Sequence, residues 1–173
     1  MTENYFELFG LDPVFNIDLT SLENSFRKIQ SESHPDRFVT ASSADKLKSM
    51  QLATLANEAY QTLKSSASRA TYLLTLQGIT AISETNTAMP TDFLMQQMEW
   101  REAIDDAKTA HNISELDNLL LEIKQEAKAL NQNLVSEIDI QKDYEAASTS
   151  TRKLIFMDKL SIDIHKVIEQ IEN

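Results

Sequence analysis

Residues 19–37 read Leu19-Thr20-Ser21-Leu22-Glu23-Asn24-Ser25-Phe26-Arg27-Lys28-Ile29-Gln30-Ser31-Glu32-Ser33-His34-Pro35-Asp36-Arg37, and this stretch decides the fold. At about 100° per residue, Leu19, Leu22, Phe26 and Ile29 fall on one narrow arc, which makes an amphipathic helix. Asp18 or Thr20 supplies its N-cap, and Thr20-x-x-Glu23 has the spacing of a capping box. The helix ends before Pro35, because a residue preceding proline avoids the α region. A polar loop over 37–43 follows, then a long helix from Ser43 to Lys64 on which Leu52, Leu55, Ala56, Ala59, Tyr60 and Leu63 share one side. Helix, polar loop, helix is an antiparallel hairpin whose tip carries His34-Pro35-Asp36-Arg37. Upstream, Tyr5, Phe6, Leu8 and Phe9 predict a short helix stopped by Gly10 and Pro13. Downstream, a shorter helix runs through Arg69, Tyr72, Leu73, Leu74 and Leu76.

Composition agrees with an all-α chain. Among 173 residues there are two glycines and three prolines, too few to supply the turns of a sheet protein. No cysteine is present, which excludes disulfides, a thiol nucleophile and thiolate-ligated metal sites. The net charge of −11 argues against a general nucleic-acid binder. No apolar run is long enough to span a membrane, and the start Met1-Thr2-Glu3-Asn4-Tyr5-Phe6 has neither a signal-peptide nor a transit-peptide pattern. A cytoplasmic protein with no membrane partner is expected. The charge is unevenly spread: residues 1–75 hold nine acids and seven bases, residues 76–173 eighteen and nine. The change falls near Gly78 and the Ser/Thr-rich stretch at 83–87, so the chain parses as 1–76, a linker at 77–89, and 90–173.

The second unit reads as three helices in an antiparallel bundle. Pro90 suits a first-turn position of the first, which runs to about Ala110. The second spans 114–133, with Leu116, Leu119, Leu120, Ile123, Ala127 and Leu130 at helical spacing. The third spans 137–171, with a candidate break at Ser148-Thr149-Ser150-Thr151.

The hairpin with its His34-Pro35-Asp36 tip, the aromatic Tyr5-Phe6-Glu7-Leu8-Phe9-Gly10-Leu11, and Ala56-Asn57-Glu58-Ala59-Tyr60-Gln61-Thr62-Leu63 together resemble a J-domain, the module that activates chaperone ATPases of the seventy-kilodalton heat-shock class. Leu94-Met95-Gln96-Gln97-Met98-Glu99-Trp100-Arg101-Glu102 and Thr151-Arg152-Lys153-Leu154-Ile155-Phe156-Met157-Asp158-Lys159-Leu160 resemble the C-terminal domain of the HscB family, and Arg69-Ala70-Thr71-Tyr72-Leu73-Leu74 fits it too. The resemblance covers nearly the whole chain. It implies a J-domain over 1–76 and a scaffold-binding bundle over 90–173. His34, Pro35 and Asp36, with Arg27, Lys28 and Arg37, would dock on a HscA-type chaperone and stimulate its ATPase. Leu94, Met95, Met98, Glu99, Glu102, Asp106 and Phe156 would hold an IscU-type iron–sulphur scaffold for delivery to that chaperone. The implied protein is an adaptor in iron–sulphur cluster assembly, with no active site, metal or cofactor of its own. The sequence departs from the J-domain pattern at Ser33, usually aromatic, which faces the core arc of its helix. It also has a sparse basic face on that helix, where Glu32 opposes Arg27 and Lys28, so electrostatic steering is expected to be weak. The metazoan-type zinc module has no counterpart here, which favours a bacterial-type protein.

A second argument for the binding face does not depend on family. With Leu94 at 0° and about 100° per residue, Met98, Glu102, Met95, Asp106 and Glu99 fall between roughly 40° and 140°. Phe93, Trp100, Ile104, Ala107 and His111 cluster between roughly 220° and 280°. The aromatic arc makes the better core, which leaves Leu94, Met95 and Met98, rimmed by acids, as an apolar patch open to solvent, the character of an interface. Phe156, at the edge of its helix's core stripe, reads as semi-buried. The rivals are a general J-domain adaptor and a helical histidine phosphotransfer protein. The latter needs an exposed histidine on a bundle helix, whereas His111 reads as core or cap and His165 as a partly exposed surface residue. An exposed loop gives His34 and Asp36 neither the desolvation nor the pocket that acid–base catalysis uses.

Overall fold

A computed structural model of the chain describes residues 4–82 and 88–173; residues 83–87, the centre of the segment read as a linker, lie outside them. The regular elements among the described residues are all helical. They are α1 (Tyr5–Leu8), α2 (Leu19–Glu32), a 3-10 turn (Pro35–Phe38), α3 (Ser43–Lys64), α4 (Ser66–Leu76), α5 (Thr91–Thr109), α6 (Ile113–Leu134) with a π-helical extension (Val135–Ile140), and α7 (Tyr144–Glu172). The architecture is all-α, a hairpin with short flanking helices followed by a three-helix bundle. It divides into two compact units within α4, between Leu73 and Leu74.

In the first unit the hairpin α2–α3 forms the frame. Asp18, not Thr20, caps α2, its Oδ1 accepting the Thr20 and Ser21 amides at 3.0 and 3.4 Å. The Ser21 hydroxyl and these amides hold the Asp18 carboxyl below its ordinary pKa. Phe26 of α2 stacks flat on Tyr60 of α3 at 4.1 Å, and Phe9 meets Phe26 edge-on at 6.4 Å. Leu22, Ala56, Ala59 and Leu63 are buried, but Leu52 and Leu55 are exposed at the edge of α3. The centre of that contact is made by small residues, so the two leucines are not part of the core face expected for them. Leu19, the first residue of α2, is exposed as well. Tyr5 stacks on Tyr72 at 4.5 Å, and the Tyr5 amide donates to the Tyr72 hydroxyl at 2.9 Å, which pins α1 to α4. Arg69 is buried, donating from Nε to the Phe15 carbonyl and from Nη1 to the Leu63 carbonyl, both at 2.8 Å.

Both glycines end helices. Gly10 has φ +67° and Gly78 φ +76°. Each donates its amide back to the helix, to Glu7 and Thr75 respectively, while the next residue reaches the carbonyl of Phe6 or Leu74. This is the Schellman closure, which needs a left-handed residue. A third copy closes α5, where His111 takes φ 52°, its amide reaches Lys108, and the Asn112 amide reaches Ala107. His111 is therefore an exposed cap and not part of the aromatic core.

In the second unit, Phe93, Trp100, Ile104 and Ala107 of α5 pack with Leu116, Ile123 and Leu134 of α6 and with Leu154, Met157, Leu160 and Ile164 of α7 in the buried core. Pro90 stands at the N-cap of α5, one place before the first-turn position assigned to it. The break in the last helical stretch is at 141–143 and not at 148–151. The segment from Val135 to Ile140 continues α6, Lys142 turns with φ 54°, and Asp143 caps α7 by accepting the Ala146 amide. Residues 148–151 stay helical within α7 although the buried Ser148 hydroxyl has no hydrogen-bond partner among the described residues, because the hydroxyls of Ser150 and Thr151 find acceptors. Thr151 donates to the Ala147 carbonyl at 2.7 Å and Ser150 to Glu137 Oε1 at 2.7 Å. Burial pushes the Glu137 carboxyl above its ordinary pKa, although the Ser150 bond opposes that shift. Arg152 holds the Ala81 and Ala88 carbonyls against α7, at 3.1 and 3.2 Å.

Candidate functional site

The hairpin tip is built by the end of α2. Ser33 closes the helix with its amide on the Ile29 carbonyl, and His34 leaves it in an extended conformation (φ −62°, ψ 136°). Pro35 then starts the 3-10 turn, which the Arg37 amide closes onto the His34 carbonyl at 3.0 Å. His34, Pro35, Asp36 and Arg37 are all exposed. The His34 Nδ1 accepts the Asp36 amide at 3.2 Å. A neutral ring in that role carries its proton on Nε2, so the 3.6 Å approach of Nδ1 to Asp36 Oδ2 is not an ion pair in that tautomer. The tip thus presents a proline-fixed corner with a ring donor and a carboxylate.

Arg27 and Lys28 are exposed on α2, but Arg27 pairs with Glu23 at 2.7 Å, so the acid partly neutralising this face is Glu23 and not Glu32. A cleft of about 470 Å³ opens beside the tip, lined among others by Arg27, Gln30, His34, Pro35, Ala53 and Asn57. Ser33, small and buried, lies at its edge. Beneath the tip, the Ser49 hydroxyl of α3 donates to the Ser33 carbonyl at 3.0 Å. Sequence reasoning singled out Ser33 but not Ser49, a serine in a polar stretch with no signal of its own.

The second candidate site lies on α5. Leu94, Met95 and Met98 are 45%, 60% and 72% exposed, and Glu99, Glu102 and Asp106 around them are exposed too. The opposite arc is buried, apart from His111. Phe156 of α7 is half-buried, with Phe93 edge-on at 5.9 Å and the Arg101 guanidinium 5.6 Å from its ring. Arg101 is fixed in turn by Asp163 at 2.9 Å. A hollow of about 230 Å³ beside Phe156 is lined by Ile82, Met89, Gln97, Ile155 and Lys159, with Arg152. The face therefore has an acidic flank on α5 and a basic edge of Arg101, Lys153 and Lys159 around Phe156. The Arg101–Asp163 pair and the hollow lie between helices, which the periodicity of a single helix does not report. His165, on α7, is exposed.

The chain aligns over its full length with known proteins. It is 46% identical over 173 residues to the co-chaperone protein HscB homolog of Burkholderia thailandensis, covering 100% of this chain and 98% of the relative. It is 42% identical, with the same coverage, to the homolog of Azoarcus sp.. The chain belongs to the HscB co-chaperone family. A family model described as the HSCB C-terminal oligomerisation domain matches residues 89–165. The chaperone HscB from Vibrio cholerae superposes with a TM-score of 0.85 at 37% identity, covering 98% of this chain and 99% of that one. As an HscB-family member the chain is a co-chaperone and not itself an enzyme. Among the described residues no helix is long and apolar enough to cross a membrane.

Proposed function

We propose that this HscB-family chain is a two-site adaptor of iron–sulphur cluster assembly. One site is the corner His34-Pro35-Asp36, with Arg27, Lys28 and Arg37 beside it, which docks on a seventy-kilodalton chaperone of the HscA type and stimulates its ATP hydrolysis. The other is the ridge Leu94, Met95 and Met98 with Glu99, Glu102 and Asp106 and the neighbouring Phe156, which holds an IscU-type scaffold for transfer to that chaperone. The observation that carries the reading is the exposure of three large apolar side chains on a helix whose other arc is core. Methionine and leucine on such a ridge adapt to a partner surface, and the acidic rim disfavours wrong ones.

The two activities are separable by mutation. His34→Gln abolishes ATPase stimulation and leaves scaffold binding unchanged, whereas Met98→Asp places a charge on the ridge and does the reverse. Loss of both activities in either folded variant contradicts two independent sites.

A further inference from the structure

The residue immediately before His34 is held by a buried serine pair. Ser33 is 3% exposed and Ser49 6%. The Ser33 hydroxyl and amide both donate to the Ile29 carbonyl, at 2.7 and 2.9 Å. The Ser33 carbonyl, one of those left over at the end of α2, accepts the Ser49 hydroxyl from the second turn of α3 at 3.0 Å. From His34 to Asp36 the chain is exposed, so this bond fixes the root from which the corner projects. Removing the donor would leave a buried carbonyl without its bond, and the last turn of α2 would loosen to reach water. The two serine hydroxyls are not equivalent. Without its own hydroxyl, Ser33 still satisfies Ile29 through its amide, whereas the donation from Ser49 spans the hairpin.

We infer that Ser49 is a positioning residue for ATPase stimulation: its hydroxyl, bonded to the Ser33 carbonyl, holds the His34-Pro35-Asp36 corner in the geometry that docks. The inference rests on the docking reading above for its link to the chaperone, but its structural half is measurable without any partner.

The test uses the full chain with Ser49→Ala, Ser49→Thr and Ser33→Ala, and with Ser49→Cys as a second, size-matched variant should alanine destabilise the fold. Amide hydrogen exchange is read at Ser33, Asp36 and Arg37, whose bonds depend on the corner. Stimulation is read as the concentration giving half-maximal single-turnover ATP hydrolysis. Ser49→Ala is expected to speed exchange at these amides and raise that concentration by about 2- to 13-fold, the range for one net hydrogen bond. Ser49→Thr restores both, and Ser33→Ala changes neither by more than about twofold. Unchanged exchange in Ser49→Ala, or equal effects of Ser49→Ala and Ser33→Ala, overturns the inference. Faster exchange with unaltered stimulation also overturns it, while His34→Gln in the same assay shows whether the docking reading survives.

Discussion

Replacing Leu94 and Met98 together by alanine strips the ridge of α5 of its two anchors while leaving its acidic rim intact. Leu94 is 45% exposed and Met98 72%. Fully burying such a side chain is worth about 1.5–3 kcal/mol, so covering what remains exposed is worth about 0.7–1.4 kcal/mol at Leu94 and about 1.1–2.2 kcal/mol at Met98. Together these give about 2–3.5 kcal/mol, a rise in the scaffold's Kd of about 30- to 400-fold. The affinity is read by isothermal titration calorimetry of the scaffold into the full chain. The same truncations cost folding stability about 1–2.5 kcal/mol, from the share of Leu94 and Met98 already covered in the fold, and leave the buried core itself intact. ATPase stimulation in the absence of scaffold stays at the unsubstituted level. A Kd within about twofold of the unsubstituted protein, with the fold intact, would refute the assignment of this face to the scaffold.

Other consequences follow from the packing. Leu160→Ala opens the bundle core at a fully buried position and costs about 2–5 kcal/mol. Trp100, the chain's single tryptophan, reports it as an earlier urea transition of the second unit. His111→Gly relieves a left-handed backbone at φ 52° and, after the entropy cost of glycine, stabilises by about 0.5–1 kcal/mol in the same experiment. Glu137 has its pKa raised by burial, so its neutral form is favoured in the fold and its contribution is lost as pH rises through the raised value. Glu137→Gln therefore gains stability over the unsubstituted chain at neutral pH, and the gain disappears on acidification below the ordinary value of 4.5, as thermal melts across pH read directly. A gain that persists at low pH contradicts the assignment.

Much of this molecule is legible along single helices. The arc Leu22, Phe26 and Ile29, the limits of α3 at Ser43 and Lys64, and the buried arc from Phe93 to Ala107 follow from helical spacing, capping chemistry and the proline after His34. So does the exposure of Leu94, Met95 and Met98, because one helix cannot turn two arcs into the same core. What escaped depends on a second element or on a hydrogen bond that helical spacing does not report. The hydroxyls of Ser150 and Thr151 look like helix breakers until Glu137 and the Ala147 carbonyl accept their hydrogen bonds. His111 lies on the core arc by angle, yet the Schellman closure takes it out of the helix before it reaches the core. Leu52 and Leu55 have the right spacing but stand beside a contact dominated by Ala56 and Ala59. At the hairpin tip, Ser33 was recognisable as an oddity because of its place before His34. Ser49, sixteen residues away, acquires meaning only through the fold.

Single-turnover ATP hydrolysis by a HscA-type chaperone, with this chain and an IscU-type scaffold added separately and then together, tests the adaptor claim most directly. Two sites on one chain predict that the rate with both exceeds the product of the separate stimulations, and that His34→Gln or the Leu94/Met98 double substitution each removes that excess. Stimulation by the chain alone that the scaffold leaves unchanged would contradict the account and leave a J-protein without this cargo.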